Sequence, residues 1–299
     1  MVLDKGDHSA KTLWDVWREG ARRLERAGLE EAAADAELLL LHLLGKSKAE
    51  LLRDLREPWP GGELDGRWEA LLARRASGEP VQYVTGEQHF YGRRFEVSPA
   101  VLIPRPETEL LAEAVLAAGD ALWPPGSGAA PQVADIGTGS GALAVTLAAE
   151  RPAWRIYASD LSADALAVAK RNAALHGVGG RIRFVQGNCL EPFLAGPSID
   201  ILVSNPPYIA TADLARLQRE VRDFEPRLAL DGGEDGLAVY RAITAQLGRL
   251  PAMPRLAAFE VGAGQAQQVA DLLRGAAEWS EIRVIPDYAG IPRHVVAVR

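Results

Sequence analysis

Residues 132–141 read Gln132-Val133-Ala134-Asp135-Ile136-Gly137-Thr138-Gly139-Ser140-Gly141, and this stretch decides the fold. A short apolar run with strand character ends in glycines at every second position, and a helical pattern follows from Ala142. Glycine permits the tight strand-to-helix turn and lets a ligand approach the backbone closely. Residues 137–142 also satisfy the dinucleotide fingerprint G-x-G-x-x-G/A. The loop by itself therefore does not choose between NAD and S-adenosylmethionine, and a tight glycine turn without a ligand is the bland alternative.

Outward from this loop, strand and helix alternate. Strands are expected over 133–136, 155–158, 182–185, 199–203, 256–261, 282–285 and 294–298. Helices are expected over 142–150, 163–175, 237–249 and 265–273. This alternation is the mark of a mostly parallel sheet. The last two strands have no helix between them. The expected fold is α/β: a seven-stranded, doubly wound, Rossmann-like sheet closed by an antiparallel edge hairpin.

Sheets of this kind bind ligands beyond the carboxyl ends of their strands. The second strand ends in Ser159-Asp160-Leu161, about 20 residues after the glycine loop, the usual offset of a ribose-binding acid. Asp160 could instead cap the next helix, but Ser162 is equally suited to that role. Asp160 is accordingly assigned to the ribose and Ser162 to the cap. The third strand ends in Gly187-Asn188-Cys189-Leu190, which places Asn188 and the Cys189 backbone within reach of an adenine ring; a plain turn reads nearly as well.

The fourth strand leads from Asp200 through Ile201-Leu202-Val203 and Ser204 into Asn205-Pro206-Pro207-Tyr208, the most informative stretch for chemistry. Asp200 lies at the strand's start, away from the ligand edge, and three unbroken apolar residues fit a strand buried on both faces. Two prolines remove two backbone donors and fix both φ angles. What remains is an array of acceptors: the Asn205 side-chain oxygen and the Pro206 carbonyl. A nitrogen with two N–H donors fits that array, and Tyr208 offers an aromatic face suited to a cationic sulfonium. Such acceptors orient a poor nucleophile and stabilise the positive charge that develops as it attacks. Neither a metal-ligand cluster nor a Ser-His-Asp set competes, because the five histidines are scattered.

Upstream, residues 12–77 read as a helical run. Leu13, Trp17, Ala21 and Leu24 recur at helical spacing until Gly28. Leu38, Leu39, Leu41, Leu43 and Leu44 mark a helix apolar nearly all round and so central to a bundle. Leu51, Leu52 and Leu55, then Trp68, Leu71 and Leu72, mark two more, separated by a loop at Pro58-Trp59-Pro60-Gly61-Gly62. Phe90, Phe95, Val97, Val101 and Ile103 are strand formers with Gly92 at a turn. The expected domains are a helical part over 1–79, a hairpin linker over 80–105 and the α/β part over 106–299. Its first helix, near 107–122, has Pro106 in its first turn.

The chain has 299 residues, 48% hydrophobic and 24% charged, enough for a soluble protein with a sizeable core. A single cysteine, Cys189, precludes an internal disulfide and fits a reducing cytoplasm. The first residues lack the apolar core of a secretory signal, and the leucine run near Leu38 is too short to span a bilayer. A net charge of −7 and a pI near 5.4 argue against a broad electrostatic hold on nucleic acid, though not against a local basic patch.

The sequence resembles the protein-(glutamine-N5) methyltransferases of the PrmC/HemK type, which modify peptide chain release factors. The resemblance spans nearly the whole chain. It includes Gly78-Glu79-Pro80, Tyr83-Val84-Thr85-Gly86, Phe95 and Leu102-Ile103-Pro104-Arg105-Pro106-Glu107-Thr108-Glu109. It continues through the glycine loop, Asp160, Asn205–Tyr208, Phe224-Glu225-Pro226, Ala229-Leu230, Glu260-Val261-Gly262 and Gln265. It implies an S-adenosylmethionine-dependent methyltransferase domain behind a helical substrate-recognition domain. The implied cofactor residues are Asp135, Gly137, Thr138, Gly139, Ser140, Gly141, Asp160, Leu161, Asn188, Cys189 and Asn205. Asn205, Pro206, Pro207 and Tyr208 would hold the glutamine of a Gly-Gly-Gln loop, with Asn205, Pro206 and Tyr208 acting in catalysis and no metal. The implied partners are release factors; charge and hydropathy lead to the expectation of no direct nucleic acid and no membrane, and a monomer is expected. Two departures bear on cofactor affinity: Asn188 stands where aspartate is usual, and Cys189 where a large aromatic is frequent. An asparagine oxygen still accepts from an adenine amine, but a thiol stacks less well. Arg105 and Glu107 fit a structural ion pair and a substrate contact equally.

Other functions share parts of this pattern. An adenine-N6 methyltransferase of DNA or RNA presents an exocyclic amine to the same acceptors, but needs a basic groove. A sister family methylates a glutamine of a ribosomal protein and departs from the Pro-Arg-Pro-Glu-Thr-Glu string. A non-catalytic binding module on the same scaffold is disfavoured by the intact cofactor loop beside Asn205–Tyr208.

Overall fold

The computed structural model describes residues 11–299, which form two compact units divided at Gly86/Glu87. The first unit is helical: α1 (Leu13–Arg26), α2 (Ala32–Leu44), α3 (Lys48–Asp54), α4 (Glu63–Ala76) and α5 (Val81–Thr85). Reciprocal capping boxes start α1, between Thr12 and Asp15, and α3, between Ser47 and Glu50. The buried stripe of α1 is Leu13, Val16, Gly20 and Leu24. It is rotated from the expected Trp17–Ala21 face because Gly20 lets the Trp68 ring approach: a Cβ there would stand 2.5 Å from the indole. In α2, Ala36, Leu39, Leu40 and Leu43 are buried, whereas Leu38 is exposed, so the helix is one-sided rather than apolar all round. An ion pair sits in this core: Arg75 Nε donates to Asp35 Oδ2 at 2.7 Å, with both side chains almost fully buried.

The second unit opens with a hairpin, β1 (Glu87–Phe90) and β2 (Arg93–Glu96), turning at Tyr91-Gly92 with both φ angles positive. Phe90 and Phe95 meet edge to face in the core of this unit. The segment read from sequence as one linker, 80–105, therefore divides. Residues 81–85 are helical and add Val81 and Val84 to the first core, while the hairpin belongs to the second. Val97, Val101 and Ile103 are buried but not in strands. The prolines at 99, 104 and 106 deny that stretch the donors a ladder needs.

Then follow α6 (Pro106–Leu122), β3 (Gln132–Ile136), α7 (Ala142–Glu150), β4 (Arg155–Asp160), α8 (Ala163–Leu175), β5 (Ile182–Gln186) and β6 (Ile201–Ser204). The chain closes with α9 (Arg219–Phe224), α10 (Ala238–Leu247), β7 (Leu256–Glu260), α11 (Ala266–Ala276), β8 (Glu281–Pro286) and β9 (Pro292–Val298). The sheet order is β5-β4-β3-β6-β7-β9-β8, parallel from β5 to β7 and antiparallel at β9 and β8. This is the expected seven-stranded sheet closed by an edge hairpin.

Alternating side chains serve the two faces, as strands covered on both sides require. Val133, Ile201, Val203, Leu256 and Ala258 enter the core that holds residues of α6 and α7. Ala134, Leu202, Ala257 and Phe259 enter the core that holds residues of α10 and α11. The strand order reverses beside β3, so β3, β4 and β6 open their carboxyl ends onto one crevice. Among the described residues, no helix is long and apolar enough to cross a membrane.

Candidate active site

The glycine loop leaves β3 with positive φ at Gly137, Gly139 and Gly141. A Cβ on Gly137 or Gly139 would meet nothing within 4 Å, so the loop faces open space; at Gly141 it would press on Ala169 of α8 at 3.1 Å. Asp135 fixes the loop's shape. Its Oδ2 accepts from Thr138 Oγ1 at 2.6 Å and from the Ala144 N–H at 3.1 Å, tying the turn to the start of α7. Burial pushes the Asp135 carboxyl up to about 7, and its Oδ1 has no hydrogen-bond partner among the described residues.

Asp160 ends β4. Its Oδ2 accepts from the Gly139 N–H and its Oδ1 from the Ser162 N–H, each at 2.9 Å. Ser162 Oγ in turn accepts from the Ala165 N–H and caps α8, dividing the two roles as the sequence assigns them. Each carboxylate oxygen can still accept one hydroxyl. Burial raises the Asp160 carboxyl from its ordinary value. Beyond β5, Cys189 adopts a positive φ of 50°, and its thiol lies 3.4 Å from Asn188 Oδ1. The Leu190 N–H donates to Gln246 Oε1 at 2.7 Å, holding this turn against α10.

The fourth wall comes from the end of β6. Ser204 Oγ donates to the Ile136 carbonyl at 2.7 Å, locking β6 to β3 where both strands open. Asn205 Nδ2 donates to Thr108 Oγ1 at 3.1 Å, and Thr108 Oγ1 donates to Glu260 Oε2 at 2.6 Å. No donor among the described residues reaches Asn205 Oδ1 or the Pro206 carbonyl. Glu260 is the last residue of β7; burial pushes its carboxyl up to about 7. The following turn is clamped from two sides. Gln265 Nε2 donates to the Tyr208 carbonyl at 3.0 Å, while its Oε1 accepts from the Gly262 N–H at 2.9 Å. Ile209 exchanges backbone bonds with Leu230 and Gly232. Gly236 must be glycine, since its φ is +76° and a Cβ would stand 2.3 Å from the Tyr208 carbonyl oxygen.

One cleft gathers most of the residues named from sequence: Asp135, Gly137, Thr138, Gly139, Ser140, Asp160, Leu161, Asn188, Cys189, Asn205, Pro206 and Pro207. Gly141 and Tyr208 lie outside its lining. Gly141 packs on α8, and the half-buried Tyr208 ring packs against the core that holds residues of α10 and α11. Burial pushes the Tyr208 phenol up to about 12, so it stays neutral. Thr138 turns its hydroxyl to Asp135 and contributes wall rather than a free donor. Arg105 pairs with Glu225, not with Glu107, and the Ile103 N–H donates to the other Glu225 oxygen at 3.2 Å. That bridge braces the segment before α6 against the one after α9, and Pro226, Leu228 and Ala229 complete the rim.

Sequence reasoning gave no role to Thr108, Glu225, Glu260 or Gln265. The signal was present, because each stands inside a string that carried the family resemblance, but their partners lie far along the chain.

The cleft fits an adenosine cofactor by the open space before Gly137 and Gly139 and by the two part-satisfied oxygens of Asp160. Comparison with known proteins agrees. A family model described as "PrmC N-terminal domain" matches residues 15–86, and one described as "Methyltransferase small domain" matches residues 108–233. The chain is 44% identical over 288 residues to a release factor glutamine methyltransferase of Moorella thermoacetica, covering 96% of this chain and 99% of that one. It is 45% identical over 285 residues to the protein of that name from Cereibacter sphaeroides, covering 95% and 97%. Among solved structures, the hMettl16 catalytic domain in complex with MAT2A 3'UTR hairpin 6 shares the fold, with a TM-score of 0.53 at 15% identity over 76% of this chain and 91% of that one. Identity of this extent over nearly the full length of both chains decides the assignment: the chain belongs to the release factor glutamine methyltransferase family.

Proposed function

We propose that the protein transfers a methyl group from S-adenosylmethionine to the side-chain amide nitrogen of the glutamine in the Gly-Gly-Gln motif of peptide chain release factors. The observation that carries this reading is the pair of acceptors left unused among the described residues, Asn205 Oδ1 and the Pro206 carbonyl, in the cleft that also holds the glycine loop and Asp160. Gly137, Gly139, Ser140, Asp160, Leu161, Asn188 and Cys189 are the residues suited to hold the cofactor. Bound there, it supplies an electrophilic methyl on a sulfonium.

The chain's own residues do the rest. An amide nitrogen is a poor nucleophile because its lone pair is delocalised. Two acceptors that bind its two N–H groups fix its orientation, and alignment supplies much of the acceleration in a displacement of this kind. The same acceptors stabilise the positive charge that grows on nitrogen, so they act more strongly at the transition state than in the ground state. Pro206 and Pro207 keep the array stiff, because neither can rotate about φ. Tyr208 supports this turn from behind through its ring packing and through the Gln265 clamp on its carbonyl.

The helical unit is assigned to recognition of the release factor and the remainder to the chemistry. The protein is read as a cytoplasmic monomer that does not engage nucleic acid directly. To test the reading, the enzyme is incubated with methyl-labelled S-adenosylmethionine and purified release factor, and the label is mapped by mass spectrometry. One methyl on the Gly-Gly-Gln glutamine amide is expected. Transfer to adenine in DNA or RNA, with none to the release factor, would overturn it.

A further inference from the structure

The Asn205 amide is the only polar side chain in the Asn205–Tyr208 turn apart from the phenol, and it is useful only one way round. With its oxygen toward the target it accepts; turned over, it would set its own N–H groups against those of the substrate amide. An asparagine amide is nearly symmetric in shape, so its hydrogen-bond partners decide its direction. Here the partner is the Thr108 hydroxyl, which can either donate or accept. What settles the hydroxyl is the next group along: Thr108 Oγ1 donates to Glu260 Oε2 at 2.6 Å and therefore has only lone pairs left for Asn205. Both Thr108 and Glu260 are buried, at 5% and 2% exposure, so solvent cannot substitute for either contact.

We propose that Glu260 and Thr108 are positioning residues that set the direction of the Asn205 amide through a one-way hydrogen-bond chain, Asn205 Nδ2–H to Thr108 Oγ1–H to the Glu260 carboxylate. This rests on the reading of Asn205 Oδ1 as acceptor for the target amide. Proton uptake by Glu260 reverses the chain: the new O–H donates to Thr108, the threonine hydrogen is released toward Asn205, and the amide turns its oxygen to receive it. The acceptor is then lost from the substrate side. No bond to carbon changes, and the only species gained or lost is the proton on Glu260.

The surroundings place this reversal near neutrality. Burial raises the Glu260 carboxyl to about 7 and Glu107 of α6 adds to the rise, while the Thr108 hydrogen bond opposes it most, with smaller opposing effects from Arg293 and the Asn205 amide. Tyr240 of α10 donates its hydroxyl to the Glu260 carbonyl at 2.7 Å and stays neutral, as does Tyr208. His294 stands opposite Glu260 on β9, and burial lowers its pKa from the ordinary histidine value, which favours the neutral ring. Burial raises Asp135 to about 7 as well, but it shapes the cofactor loop and lies outside the relay, so an acid limb due to Asp135 would persist in Glu260→Gln and Thr108→Val.

The test is the single-turnover rate of glutamine methylation at saturating donor, followed across pH on both sides of about 7. The wild type is expected to gain rate as pH rises through that value. Glu260→Gln and Thr108→Val, similar in shape to what they replace, should each lose roughly 10- to 100-fold in rate, the scale at which outer hydrogen-bond partners act on the group they orient. Both should lose the acid limb, with donor affinity by calorimetry close to that of the wild type. Thr108→Ser should restore the rate and the limb, which a purely structural role for the threonine methyl would not allow. Should Glu260→Gln not fold, the Thr108→Val and Thr108→Ser pair decides alone. If the wild type labels glutamine yet these variants keep its rate and acid limb, the relay falls and the function stands. If the wild type places no label on glutamine, the functional reading falls and the relay with it.

Discussion

Replacing Asp160 with asparagine isolates the ribose contact from the rest of the cleft. In the folded protein the carboxylate already serves two backbone donors, Gly139 N–H and Ser162 N–H, each at 2.9 Å. That leaves one acceptor site on each oxygen for the two ribose hydroxyls. Asparagine keeps the size but exchanges one oxygen for an NH₂. Whichever way it turns, one backbone N–H faces a donor, one ribose hydroxyl loses its acceptor, and the other loses the benefit of charge. A hydrogen bond to a charged group contributes about 1.5–3 kcal/mol. Loss of one therefore corresponds to roughly 10- to 150-fold weaker binding at 1.4 kcal/mol per decade. Calorimetric titration with S-adenosylmethionine reads this directly, with melting of the unliganded variant as the control for folding. The wild type itself should lose affinity as pH falls, since a protonated carboxyl presents a donor to one hydroxyl. Because burial raises this carboxyl, that loss sets in at higher pH than for an ordinary aspartate. A variant that folds and binds with unchanged affinity would refute the assignment of Asp160 to the ribose.

Other expectations follow from single contacts. Asp35→Ala leaves the Arg75 guanidinium buried without its 2.7 Å carboxylate partner and should destabilise the helical unit by about 3–5 kcal/mol, measured by denaturant melting. Gly236→Ala forces a Cβ against the Tyr208 carbonyl at 2.3 Å and should lower kcat more than donor affinity, because it shifts the acceptor turn and not the glycine loop; equal loss of both would point to general misfolding. Tyr208→Phe keeps the ring packing and should cost less than a factor of about 10 in kcat, far below the loss for one oriented active-site group; a larger loss would give the hydroxyl a direct part. Removing residues 1–86, the whole first unit, should leave S-adenosylmethionine binding intact while abolishing methylation of whole release factor. Normal turnover by the truncated chain would deny the helices their recognition role.

Much of this architecture could be read from local pattern. The apolar strands and the glycine loop sit within a few residues of one another, and the strands read as short unbroken apolar runs because both sheet faces are covered. The Asn205–Tyr208 turn was equally plain, since two prolines at a strand end have few other uses. What escaped was of two kinds. One was one-sidedness set by a neighbour: the α1 face turned from Trp17 toward Val16 because Gly20 admits Trp68, a contact between helices that no single helix reveals. The other was long-range polarity. Thr108, Asn205 and Glu260 come from the start of α6, the end of β6 and the end of β7, so their chain exists only once the sheet order is set. The Arg105–Glu225 bridge is of the same kind, and sequence proximity pointed instead to Glu107.

The acceptor array at the end of β6 is tested most directly by the single-turnover rate of Asn205→Ala on intact release factor, with S-adenosylmethionine saturating. Removal of an oriented polar group that acts on developing charge should slow methyl transfer by about 10²–10³-fold. The apparent affinity for the release factor should change far less, because the contact strengthens only as charge grows on nitrogen. Asn205→Asp, which keeps an acceptor but adds a negative charge beside the sulfonium, should not restore the rate. Near-normal turnover by Asn205→Ala would contradict the mechanism outright, since among the described residues no other side chain at that strand end offers the same free acceptor.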